Sequence, residues 1–300
     1  MRGYLRVSIL LPALLLALAG LTACGSAPTS TGSKIQVVAA ENFYGDLLSQ
    51  VCGNACAVTS IISNPNTDPH EYEVNVTDAK VVANADLVIV NGVGYDAFMQ
   101  QLLAASPRPS RIVITVQSLM GVPNGHNPHL WYNPATMPRL ATLVARDLGR
   151  IDPARRAAFA ARATAFIRSL APIDARIAAI RAAYPGAAVA YTEPVFGYMG
   201  AAIGLRVLTP EAFQVAVEQG VDPPASALAS EEALLNQHRV SALIYNLQTT
   251  EPVTSQVEAL ARQDGIPVVG VTETEPARED YQTWMMNELT ELETALAHGG

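Results

Sequence analysis

Two histidines stand in near-duplicate frames, Asp68-Pro69-His70-Glu71-Tyr72-Glu73 and Asn127-Pro128-His129-Leu130-Trp131-Tyr132. Proline stiffens the chain ahead of each ring, and Asp or Asn pins the local backbone, so each imidazole is held in place. A lone loop histidine is ordinarily a solvated surface residue. Two in matching Pro-His frames, each beyond a strand-like run, point to a shared ligand, because open α/β sheets bind ligands beyond the C-terminal ends of their strands. Neutral imidazole suits a borderline divalent metal ion. The other three of the five histidines read as bland: His126 as surface, His238 at the end of a polar helix over 230–238, His298 as tail. Glu231 and Glu232 read as the solvated first turn of that helix, and Tyr72, Trp131 and Tyr132 as walls of a cleft. No phosphate-cradling glycine loop, nucleophile elbow or HExxH helix is present.

The elements that must position these rings follow from hydropathy. Apolar runs at 35–40, 57–62, 86–91 and 111–116 alternate with helical patterns, and the design repeats at 187–191, 205–208, 241–245 and 266–271. These runs are continuously apolar rather than alternating, as expected of parallel strands covered on both faces. The pattern predicts an α/β protein of two lobes, each with a four-stranded, mainly parallel sheet flanked by helices. Between the halves Asp152 and Pro153 open a helix on which Phe159, Phe166, Leu170, Ile173, Ile177, Ile180 and Tyr184 form one apolar stripe. Some thirty residues at about 1.5 Å each span about 45 Å, long enough to tie both lobes together. Pro172 bends it or divides it into two helices. The expected organisation is an N-terminal lobe over 34–150, a linking helix over 151–185 and a C-terminal lobe over 186–300.

Half of the 300 residues are hydrophobic and 15% are charged, which excludes a disordered chain. Lys and Arg number 19 against 27 Asp and Glu, a net charge of −8, which speaks against nucleic acid as a partner. Arg2 and Arg6 precede an apolar run from Ile9 to Leu18, and Leu21-Thr22-Ala23-Cys24 follows. This start resembles a bacterial lipoprotein signal, with cleavage after residue 23 and a lipid on the sulfur of Cys24. Residues 24–33 then form a flexible tether. Cleavage would remove two of the 19 basic residues and none of the acidic ones, leaving a net charge of −10. In an exported chain Cys52 and Cys56, around a Gly/Asn turn, read as a short disulfide, with a thiolate metal pair or two free thiols as alternatives.

The two Pro-His frames, together with Thr192-Glu193-Pro194-Val195-Phe196-Gly197-Tyr198, resemble the metal-binding lipoproteins of bacterial zinc/manganese ABC importers, the family 9 (cluster A-I) solute-binding proteins. The resemblance covers nearly the whole chain after Cys24 and implies two four-stranded lobes joined by a long backbone helix, as the hydropathy pattern independently suggests. It implies a monomer that holds one divalent ion between its lobes, outside the cytoplasmic membrane, and delivers it to a membrane permease. Carried over position by position, the ligands are His70, His129, Glu193 and Glu273. The second frame departs from the usual one, with Asn127 in place of Asp. At Glu193 many members carry His, and the fourth position, in Val271-Thr272-Glu273-Thr274, is a weak match. The His-rich loop of many zinc carriers is reduced here to His126.

Two imidazoles and two carboxylates would neutralise a doubly charged ion, Zn2+ for preference and Mn2+ as the harder alternative. Glu273 is the first carboxylate beyond its strand, with Thr272 and Thr274 to orient it. Glu275, before Pro276, is expected to face solvent, and Glu279 and Asp280 to open the last helix. Water could instead fill the fourth position. Two other functions fit less well. An exported mononuclear metallohydrolase would need an open coordination position and a base, for which Glu71 and Glu73 are the spare carboxylates. A surface adhesin would need a receptor motif that the sequence does not offer.

Overall fold

Eight short parallel strands form two sheets of the same topology in a computed structural model, which describes residues 33–64, 67 and 72–299 together with Met1 and Gly3. Apart from Met1 and Gly3, the segment that resembles an export signal, with Cys24 and the residues after it up to Gly32, lies outside the described residues, as do Asp68, Pro69, His70 and Glu71. Residues from Lys34 onward form one compact unit.

The N-terminal sheet contains β1 (Ile35–Glu41), β2 (Cys56–Ile62), β3 (Leu87–Val90) and β4 (Ile112–Thr115), in the order β2-β1-β3-β4. The C-terminal sheet contains β5 (Ala188–Tyr191), β6 (Arg206–Val207), β7 (Ala242–Asn246) and β8 (Val268–Val271), in the order β6-β5-β7-β8. Every pairing is parallel. Strands β3, β5 and β7 are buried at every position, as their unbroken apolar runs predict. In each sheet the chain leaves its first strand to one side and returns on the other. The crevice beyond the strand ends therefore opens between β1 and β3 in one lobe and between β5 and β7 in the other.

Helices cover the faces: α1 (Asn42–Cys52), α2 (Val76–Asn84), α3 (Ala97–Ala105), α4 (Val116–Met120) and α5 (Thr136–Ile151) in the first lobe. On α5, Met137, Leu140, Ala141, Val144 and Leu148 repeat at helical spacing and are buried, while Arg139, Arg146 and Arg150 lie on its outer side. Cys52 ends α1 and Cys56 opens β2; their sulfurs are joined, with Cα atoms 5.8 Å apart.

The connector runs as α6 (Arg156–Ser169) and α7 (Ala171–Ala183). Asp152 caps its first turn, accepting from the amides of Ala154 and Arg155. Leu170, between the two segments, keeps right-handed helical angles, and the division falls just ahead of Pro172, which has no amide hydrogen to donate. Phe159, Phe166, Leu170, Ile173, Ile177 and Ile180 of the predicted stripe are all buried, in one core cluster that includes side chains of both lobes.

The second lobe adds α8 (Gly197–Ile203), α9 (Glu211–Glu218), α10 (Ala225–Asn236), α11 (Pro252–Gln263) and α12 (Tyr281–His298). Helix α10 starts five residues before Ser230, behind Pro224, so Glu231 lies in its interior. It is fully buried rather than solvated, accepting from Thr209 Oγ1 at 3.1 Å, and burial pushes its carboxyl up to about 8. His238 follows the helix, exposed and with φ of 49°. No helix among the described residues is long and apolar enough to cross a membrane.

Candidate metal centre

His129 follows β4 and α4 in a loop, yet its ring is completely buried. Its floor is aromatic: Trp131 meets the imidazole edge-on at 5.2 Å between centroids and stacks on Phe43 at 4.4 Å. Tyr95 closes another side at 5.9 Å. Trp131 and Tyr132 thus lie under the site in the core, while Tyr72 packs on Phe98 and donates to Asp78 in the first lobe. Asn91, at the end of β3, donates to the carbonyl of Pro128 at 2.8 Å and accepts from Tyr44 at 2.7 Å, which fixes the backbone just ahead of His129.

Asn127 fixes the tautomer of the ring. Its Nδ2 donates to the carbonyl of Pro194 at 2.6 Å, so its Oδ1 is the atom facing His129 Nδ1 at 2.7 Å. An amide oxygen only accepts; Nδ1 of the imidazole must therefore carry the hydrogen, leaving the lone pair of a neutral ring on Nε2. That Nε2 is buried, makes no hydrogen bond among the described residues, and lies 3.3 Å from Glu273 Oε2. A buried imidazole nitrogen with its lone pair outward and its tautomer fixed by a neighbour is the arrangement of a metal ligand. Asn127 orients the ring as Asp would, and its amide adds a bond to the other lobe that a carboxylate could not donate. Gly197 makes room for it: a Cβ there would come within 2.7 Å of Asn127 Nδ2.

Glu193 follows β5 and Glu273 follows β8, and both are buried, at 2% and 0% exposure. Asn246, the last residue of β7, joins them. Its Nδ2 lies 2.7 Å from Glu193 Oε2, 2.7 Å from Glu273 Oε1 and 3.0 Å from Thr249 Oγ1. Tyr95 donates across the lobe boundary to Glu273 Oε2 at 3.0 Å. Gln248 accepts from the amides of Glu273 and Thr274, and its Nε2 donates to Thr274 Oγ1 at 2.7 Å. The structure thus brings His129, Glu193 and Glu273 into one neighbourhood, with His70 outside the described residues. Among the described residues no three His, Cys, Asp or Glu side chains converge tightly enough to hold an ion. Asn246, Tyr95, Gln248 and Asn91 are site residues the sequence reading missed. The signal for Asn246 is positional: it ends β7 beside β5, at the crevice of the second sheet.

Other carboxylates differ from expectation. Glu275 is only 8% exposed, its backbone held by Asn42, and burial followed by the charge of Asp46 pushes its carboxyl up to about 9. The turn before Pro276 packs against the first lobe instead of extending into water. Asp280 caps α12 through Thr283 as predicted. Glu41, at the end of β1, is fully buried with neither carboxylate oxygen hydrogen-bonded among the described residues, and burial followed by the charge of Asp96 holds it well above the ordinary range. Outside the rings an open cavity of about 940 Å³ is lined by Tyr95, His126, Asn127, Glu211, Glu218 and Glu251 among others, with His126 exposed at its rim.

A two-lobe α/β fold with an imidazole from one lobe set against carboxylates from the other defines an inter-lobe ligand-binding protein. Residues 37–295 match the family described as zinc-uptake complex component A, periplasmic, and the chain belongs to that family. Among curated proteins it is similar to the manganese-binding lipoprotein MntA of Halalkalibacterium halodurans, 27% identical over 157 residues covering 50% of this chain and 52% of that protein. It is also similar to the manganese ABC transporter substrate-binding lipoprotein PsaA of Streptococcus pneumoniae, 24% identical over 83% of each chain. The chain spans about half the length of several of the curated relatives it matches. The fold is that of FpvC from Pseudomonas aeruginosa, solved with Mn2+ (TM-score 0.73, 22% identity, 89% of this chain and 100% of that one). The periplasmic zinc-binding protein TroA of Treponema pallidum superposes equally well (TM-score 0.73, 20% identity, 88% and 99%).

Proposed function

We propose that this protein is the extracytoplasmic binding component of a metal importer, capturing one divalent transition-metal ion between its lobes and handing it to an ABC permease. The ligands are His70, His129, Glu193 and Glu273. Zinc is the preferred cargo and manganese the second, because two imidazoles and two carboxylates meet the tetrahedral demand of zinc. The observation that carries this reading is the buried lone pair of His129 Nε2, 3.3 Å from Glu273 and fixed by Asn127 on the far side of the ring. Membership of the family described as a zinc-uptake component supports it, as do relatives named for manganese binding. Residues 1–23 serve as the export signal, Cys24 carries the lipid, and 24–33 tether a monomeric binding domain to the outer face of the cytoplasmic membrane.

Metal analysis of protein purified without chelator, followed by competition titration with zinc and manganese, tests the cargo. One equivalent of ion, with zinc bound more tightly, is expected; protein that binds neither ion stoichiometrically refutes the reading. The anchor is tested by Cys24→Ala, which should leave the membrane fraction and keep metal binding.

A further inference from the structure

We propose that Glu288 is a positioning residue, a neutral carboxyl group that latches the loop of His129 to the loop of Glu273 by donating its own hydrogen to Tyr132. Its consequence for the ion rests on the reading that His129 and Glu273 are ligands; the placement of the hydrogen does not.

Glu288 lies on α12 and is 6% exposed. Its Oε1 accepts from the amide of Thr272 at 3.1 Å and from Trp284 Nε1 at 2.8 Å. Two N–H donors use both lone pairs of that oxygen. Tyr132 Oη, from the first lobe, lies 2.8 Å from Glu288 Oε2 and 2.9 Å from Oε1, and 2.7 Å from the carbonyl oxygen of Thr272. A phenol has one hydrogen, and a backbone carbonyl only accepts. Were Glu288 ionised, Tyr132 would face two acceptors with one hydrogen, and one close contact would set lone pair against lone pair. With Glu288 neutral every atom is matched: Oε2–H donates to Tyr132 Oη, and Tyr132 donates to Thr272. Burial pushes the carboxyl up to about 8, in the same direction.

The surroundings do not favour a charge. Glu291 and Tyr281 flank it on its own helix, and Tyr132 also feels Glu273 beyond β8. From α7, Asp174 faces Tyr281, while Arg176 pairs with Glu293. Asp46 of α1 accepts from the amide of Tyr281. Strands β7 and β8 carry no acid or base except Tyr245. Among the described residues no cation pairs with Glu288. An open cavity of about 370 Å³, lined by Thr272, Glu279, Trp284, Glu288 and Glu291 among others, connects it to solvent. The amide of Tyr132 donates to the carbonyl of His129 at 3.2 Å, and Thr272 directly precedes Glu273. One side chain therefore ties the backbone beside two proposed ligands, one from each lobe.

The test compares the parent chain with Glu288→Gln, Glu288→Leu and Tyr132→Phe. Glutamine keeps an acceptor for the two N–H groups and sets an N–H donor where the carboxyl hydrogen lies, so it imitates the neutral acid. In metal-free protein the carbon-13 carboxyl signal missing from Glu288→Gln should titrate well above the ordinary glutamate value of about 4.3. From about pH 4.5 to 8 the parent's melting temperature should fall away from that of Glu288→Gln, because the unfolded chain releases the proton first. At the acid end those two should melt alike and Glu288→Leu lower. Titration at the ordinary value, or Glu288→Gln melting like Glu288→Leu, overturns the proposal. Zinc titration reads the positioning role. Glu288→Leu and Tyr132→Phe should bind about tenfold more weakly, the low end for outer partners of ligands, and Glu288→Gln should keep the parental affinity. Equal affinity in all of them overturns that role. His129→Ala runs alongside: if it binds zinc like the parent, the reading of the site fails and the positioning role with it, whereas the carboxyl titration judges the hydrogen without metal.

Discussion

On the N-terminal side of the site, His129 rests on stacked rings, with Trp131 beneath it and Phe43 beneath Trp131. On the C-terminal side, Glu193 and Glu273 are joined through a single amide, that of Asn246. Packing holds the first half and hydrogen bonding the second. A close-packed aromatic floor hardly changes when an ion arrives or leaves. Carboxylates held by hydrogen bonds, Glu273 by Tyr95 as well as by Asn246, can exchange partners of comparable strength, so they are the half that adjusts. With the proposed ligands, the contrast would make His129 the rigid partner of the ion and the carboxylates the compliant pair that closes on it. Because the two helical segments α6 and α7 tie the lobes, capture should involve small local shifts near 124–129 and 271–280 rather than a wide hinge.

The largest effect should come from removing either half outright. His70→Ala, His129→Ala and Glu273→Gln should each lower zinc affinity by more than about 100-fold, beyond the loss typical of an outer partner; titration calorimetry checks this. Side-by-side titration of Glu273→Gln with Glu275→Gln and Asp280→Asn sharpens the assignment, since only the first should lose metal. Asp280 caps α12 instead.

Next is the aromatic floor. Trp131→Ala should cost about 3–5 kcal/mol of stability from the cavity left in the core, read by denaturant unfolding, and metal affinity should fall with it. Unfolding unchanged by this substitution would mean that packing does not hold the imidazole side.

The short bridge is expected to matter less. Replacing Cys52 and Cys56 together by Ser should lower stability by about 2 kcal/mol, the chain-entropy value for so small a loop, and leave metal affinity as it was.

The effect least tied to that comparison concerns pH. Burial pushes both Glu231 and Glu288 up to about 8. Their folded pKa values exceed those of the unfolded chain, so the native state holds more protons between about pH 4.5 and 8. Stability should therefore be greatest at the acid end of that window and fall as pH rises through about 8. Glu231→Gln should flatten part of this slope in melting curves recorded across it.

Much of this was legible from the chain. The eight apolar runs match the eight strands to within two residues at each end, because buried parallel strands leave an unbroken apolar signature. His129, Glu193 and Glu273 come from motif frames, and the fold puts them in one neighbourhood, though among the described residues not tightly enough to hold an ion. The misses share a cause. Asn246, Tyr95 and Gln248 are common polar residues whose importance comes from long-range contacts, such as the Tyr95–Glu273 bond between residues 178 apart in sequence. Glu231 and Glu275 looked solvated because carboxylates usually are, and only tertiary packing buries them.

The central claim is that one ion is held by imidazoles from the first lobe and carboxylates from the second. X-ray absorption spectroscopy of the zinc-loaded protein tests it most directly. The account predicts about four nitrogen and oxygen neighbours at about 2.0–2.1 Å, with the outer scattering of two imidazole rings. A sulfur neighbour at about 2.3 Å, or a shell of oxygens without imidazole, would contradict it.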